Sequence, residues 1–129
     1  MGDIINDYFK RFYPADWRTA EYNYSSMLGG MNEYPRTKGS EVNTIFPAME
    51  CADGFTLSVQ GHFGAYSGPR DDFADHYSSV ECGYPSARIE ELMPYIDGGQ
   101  DADPSQSVYG YVPVEVVVEI IKKHGGLKA

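Results

Sequence analysis

The sequence predicts an α+β domain, with a mostly antiparallel sheet of three to five strands packed by two or three helices. Three observations predict it. Both ends of the chain carry apolar residues at helical spacing, and an Asp-Gly turn signal stands in the middle. That signal opens directly onto a clean apolar–polar alternation from Phe55 to His62. The length, 129 residues, suits one domain across 1–129 and leaves no room for two ordinary ones.

The elements follow in order. Asp3 is a plausible N-cap, and Ile4, Ile5, Tyr8, Phe9 and Phe12 recur as on one helix face before Pro14 stops the helix. Pro14 to Trp17 starts a further helical turn, with Trp17 as an anchor. Tyr24 to Ser40 holds Gly29, Gly30, Pro35 and Gly39 and reads as loop. Glu41 to Cys51 is a strand interrupted near Pro47, which makes it an edge or bulged strand. After Asp53-Gly54, residues Phe55, Leu57, Val59 and Gly61 face the core, and Thr56, Ser58, Gln60 and His62 face water. A long connection leads to a strand from Tyr77 to Tyr84, with Val80, Cys82 and Tyr84 on one side. Pro85-Ser86 opens a short helix through Leu92 that ends at Pro94, and Val108 to Val112 is the last strand. Pro113 then takes the first helical position. Val114, Val117, Val118 and Ile121 form its stripe, Glu119 and Lys123 pair at i+4, and Gly125 closes it.

Charge narrows the function classes. Nineteen acids oppose ten bases, a net charge of −9, and between Gly39 and Ile121 fourteen acids face only Arg70 and Arg88. Such a field repels nucleic acid and anionic membrane and attracts basic protein surfaces. No apolar run reaches the length of a membrane span, and acids stand near Met1 where a signal peptide carries bases, so a cytoplasmic protein is expected. Eleven tyrosines add rigid contact area with polar tips, as interfaces use.

Motifs for chemistry are lacking. No P-loop, Gly-x-Gly-x-x-Gly, Cys-x-x-Cys or His-Glu-x-x-His occurs. Around Ser67 the nucleophile-elbow pattern fails, because Ala65 stands where that turn needs glycine. Asp71, Asp72, Asp75 and His76 are the densest group of potential ligands, and a solvated acidic turn explains them better than a metal. Asp101 to Ser105 opens like a calcium loop but lacks its glycine and closing glutamate. Cys51 and Cys82 are expected as buried thiols, each ending a strand-like segment. Neither a cofactor nor a catalytic constellation is expected.

The loop from Gly61 to His76 is the best local candidate for function, since structureless loops of this length are usually functional or disordered, and its aromatics argue for order. Phe63 and Phe73 are expected to point inward, with Arg70, Asp71 and Asp72 pointing to solvent. Arg70 would tie the loop down through a carboxylate or, with the amides of Gly64 and Gly68, meet an anion. In that second case Tyr66, His62 and Arg70 would form a pocket for a nucleotide-like ligand.

Gly83-Tyr84-Pro85-Ser86, Leu92-Met93-Pro94-Tyr95 and Val108 to Pro113 through His124-Gly125-Gly126 resemble small acidic proteins encoded by phages and prophages. The resemblance spans the C-terminal two thirds of the chain and carries over no functional residue. It implies a non-enzymatic protein that inhibits a host nucleic-acid-binding or defence factor, such as a CRISPR effector, in the bacterial cytoplasm. Asp71, Asp72, Asp75, Asp97, Asp101 and Asp103 are the carboxylates expected to meet the partner's basic surface, with Tyr66 and Arg70 beside them.

Overall fold

The computed structural model describes residues 3–15, 17, 45–98 and 102–128. The expected loop from Tyr24 to Ser40, the start of the Glu41 strand and Asp101 lie outside these residues.

Helix α1 (Ile4–Lys10) forms where the apolar spacing put it, and Asp3 caps it by accepting the Asn6 N–H at 2.7 Å. Its inner face buries Ile5, Tyr8 and Phe9. Phe9 stacks on Phe46 at 4.3 Å and meets the Tyr77 ring edge-on at 5.5 Å. Phe12 lies beyond the last helical turn and is largely exposed.

Strands β1 (Met49–Glu50), β2 (Thr56–Gln60), β3 (Ser79–Gly83) and β4 (Val108–Pro113) form an antiparallel sheet in chain order. β1 is shorter than expected because Pro47 has no N–H to give the ladder. Beyond it the side chain of Gln60 takes over, accepting the Phe46 N–H and donating to the Phe46 carbonyl, both at 2.8 Å. Gln60 is therefore buried, against the expectation that it faces water. The rest of the alternation in β2 holds, with Phe55, Leu57, Val59 and Gly61 buried. At Gly61 a Cβ would come within 3.0 Å of the Tyr77 ring, so glycine makes the room that ring fills.

In β3, Val80 and Cys82 point into the core, but Tyr84 does not join them. Its φ of +51° breaks the alternation and leaves it 57% exposed. The segment after Ser86 is a 3₁₀ turn, Glu90–Tyr95, instead of an α-helix. An α-helix there would need the N–H that Pro94 lacks.

Helix α2 (Val114–Lys123) buries Val114, Val117, Ile120 and Ile121, while Val118 is only half-buried. The expected Glu119–Lys123 pair is absent: Glu119 meets Lys122 at 3.7 Å, and Lys123 reaches across to Glu91. Gly125, at φ +92°, ends the helix in the left-handed conformation. Ala52 and Asp53 in the first hairpin turn donate to the carbonyls of Gly126 and His124, which ties the C-terminal segment to the sheet. The Asp53 carboxylate adds a 2.7 Å bond to His124 Nδ1.

Both cysteines are free and buried. Through the sheet registers, Cys51 sits level with Phe55 and Cys82 with Val59, four residues further along β2. That offset is about 13 Å along the strand, with β2 between them.

Candidate functional site

The loop between β2 and β3 is ordered by its own polar groups. Tyr77 donates its hydroxyl to the Asp71 carbonyl, accepts the Ala74 N–H at 3.2 Å, and through its backbone N–H and carbonyl makes two bonds to the Asn6 side chain. Tyr13 donates its hydroxyl to the Ala74 carbonyl at 2.6 Å. Burial pushes both tyrosine hydroxyls well above the ordinary phenol range, so they act as fixed donors.

This packing corrects the expected orientation of the acids. Asp72 is 1% exposed, and its Oδ1 accepts the Phe63 N–H at 2.9 Å, so it is a structural carboxylate. Beside it Phe73, in the left-handed backbone conformation at φ +53°, is buried as well. Asp71 is half-buried, and its Oδ1 has no hydrogen-bond partner among the described residues. Asp71 and Asp75 line an open cleft of about 660 Å³ with Trp17, Phe73 and His76. Asp75 is exposed and 3.8 Å from Lys10. Asp72 and His76 do not share a helix face, because the segment is a chain of turns. Phe63 is half-buried, not an inward anchor like Phe73.

The remaining carboxylates lie elsewhere. Asp103 caps the short turn Pro104–Gln106 through its bond to the Ser105 N–H. The Asp97 N–H bonds the Val108 carbonyl, which places Asp97 beside β4. Among the described residues no three His, Cys, Asp or Glu side chains are placed to hold a metal ion.

Tyr66 and Arg70 do come together, on the outer face of the sheet. The Arg70 guanidinium lies 5.6 Å from the centre of the Tyr66 ring, and its Nε donates to the Phe63 carbonyl at 3.3 Å. Arg70 thus ties the loop through a carbonyl and a ring, and among the described residues it makes no salt bridge to a carboxylate. The amides of Gly64 and Gly68 are used internally, by His62 Nδ1 and by the Ser79 carbonyl, which removes the anion cradle expected of them.

A bulge in β4 shapes this face. Val80 pairs with Val112 and Cys82 with Tyr109, so Gly110 and Tyr111 together oppose Glu81. Tyr111 sits at φ +54°, is half exposed, and donates its N–H to the Tyr66 carbonyl at 3.0 Å. The two rings lie 5.9 Å apart. Tyr66 can lie this close because Gly110 has no Cβ; one would stand 3.1 Å from the Cβ of Tyr66. Glu81 is half-buried within this group. Burial pushes its carboxyl above the usual range, the Tyr66 N–H and Arg70 pull it down, and Asp97 pushes it up again. Among the described residues Glu81 has no salt bridge.

Sequence reasoning found Tyr66 and Arg70 but missed Glu81 and Tyr111. Glu81 carried a signal: it stands alone as an acid between the inward residues Val80 and Cys82. Tyr111 carried none, because a bulge leaves no mark in the alternation of so short a strand. The chain matches no protein-family model, no curated protein and no solved structure.

Proposed function

We infer that the protein is a non-enzymatic binding protein that occupies a basic surface of another protein through the outer face of its sheet. The observation that carries this reading is the exposed Tyr66–Tyr111 pair beside the half-buried Glu81, which lacks a salt bridge among the described residues. Around it stands a chain of net charge −9. Tyrosines at the centre of a contact supply area at little entropic cost, and the surrounding acids steer a basic partner. Among the described residues no helix is long and apolar enough to cross a membrane. The likeness to phage-encoded proteins directs the search for the partner to bacterial nucleic-acid-binding and defence proteins.

The test is capture from a bacterial lysate on immobilised protein at low salt, followed by a salt step. The reading requires a basic partner that leaves as the Debye length shrinks, and that Tyr66→Ala together with Tyr111→Asn fails to hold. Capture that ignores salt, or that survives the double variant, contradicts it.

A further inference from the structure

We propose that Glu81, on the same sheet face as the Tyr66–Tyr111 pair, is the receptor for a single arginine side chain of the partner protein. The inference rests on the docking role above and names the chemical group that the face recognises.

Three observations converge on a guanidinium. Tyr66 already carries one: Arg70 lies over its ring, which shows that this ring accepts a flat cation at 5.6 Å. Tyr111, tilted 32° from Tyr66 and half exposed, offers a second ring to which no cation–ring contact is made among the described residues. Glu81 stands between the chain neighbours of these rings, opposite the bulge, as a carboxylate without an ion pair among the described residues. A half-buried carboxylate that takes the Tyr66 N–H and lies across the strands from Tyr111 is complementary to a cation that is weakly hydrated, planar and able to give two parallel hydrogen bonds. Arginine meets all three conditions, and lysine meets none of the last two.

Asp97, beside β4, adds a second negative charge near Glu81, and Arg70 a positive one. An incoming guanidinium offsets the repulsion between the two acids, which Arg70 offsets only in part. Binding therefore favours ionised Glu81. By linkage, affinity falls as pH drops through the raised titration of Glu81, with a proton released on binding in that range.

The probe is tri-arginine, followed through the amide resonances of the whole protein, with tri-lysine as comparison. The proposal expects shifts centred on Tyr66, Glu81, Gly110 and Tyr111. It expects tri-lysine to bind more weakly, and affinity for tri-arginine to fall roughly tenfold in Glu81→Gln, the scale of a lost charge-assisted contact. The pH dependence should vanish in the same variant. In the unaltered protein, the acid-side loss of affinity is a second readout that needs no substitution. Shifts confined to other acidic sites, or equal affinity in Glu81→Gln, overturn the arginine receptor while leaving salt-sensitive docking intact. Absence of any shift overturns the receptor too, and if salt-sensitive capture also fails, the docking role falls with it.

Discussion

Asn6 and Tyr77, seventy-one residues apart, hold each other by two hydrogen bonds: the Asn6 side chain donates to the Tyr77 carbonyl at 3.0 Å and accepts the Tyr77 N–H at 2.7 Å. Asn6 is 2% exposed and Tyr77 fully buried, so this side chain does the work of a strand neighbour for the end of the β2–β3 loop. Asn6→Ala strands a buried donor and a buried acceptor together. It should cost about 2–6 kcal/mol by denaturant unfolding, from roughly 1–3 kcal/mol for each orphaned group. A loss below about 1 kcal/mol would mean that water replaces both bonds.

The two adjacent aspartates of the loop should behave differently. Asp72→Ala removes the buried acceptor of the Phe63 N–H and should destabilise by about 1–3 kcal/mol. Asp71→Asn removes charge from a group whose Oδ1 has no partner among the described residues, so stability should hold within about 0.5 kcal/mol or rise. Thermal and denaturant unfolding of the two variants separate these outcomes.

Phe73 and Tyr111 share a left-handed backbone, at φ +53° and +54°, but not a role. Phe73 is 1% exposed, and Phe73→Ala should cost roughly 3–5 kcal/mol. Tyr111 is half exposed, and asparagine tolerates this conformation better than tyrosine does. Tyr111→Asn should leave stability unchanged or raise it by up to about 1 kcal/mol, while capture of the partner is lost. Equal destabilisation by both changes would make Tyr111 a structural residue.

Much of the frame was legible because local chemistry and tertiary packing agree there. The Asp3 cap, the alternation of β2, the burial of Phe73 and the glycine after α2 are read correctly from neighbours in sequence. What was not legible depends on residues far apart. Asp72 is buried beside Phe73, whose ring meets Tyr13, Gln60 where it bonds the Phe46 backbone, and Lys123 is drawn from Glu119 to Glu91. Acid density along the chain pointed to the loop, whereas the face with exposed rings is assembled from three separate segments.

Glu81 and Asp53 should titrate with opposite effects on stability. Burial raises the Glu81 carboxyl, so the folded state binds its proton more tightly. That contribution is full below the ordinary glutamate range and is lost as pH rises through the folded value. Asp53 is lowered, first by the Phe55 N–H and then by His124, so its contribution is present above the ordinary aspartate range and lost on acidification. Glu81→Gln should therefore gain stability over the parent near neutrality and converge with it in acid. Asp53→Asn should lose stability near neutrality and converge in acid. Unfolding curves taken from pH 3 to 8 check both signs.

If the outer sheet face around Tyr66, Glu81 and Tyr111 meets the partner, hydrogen exchange of the backbone, with and without the salt-eluted partner, will locate the contact. New protection is expected at residues 66–70 and 110–111 and none around Asp75 and His76. Protection confined to the cleft lined by Asp71, Asp75 and His76, with the tyrosine face unchanged, would contradict it.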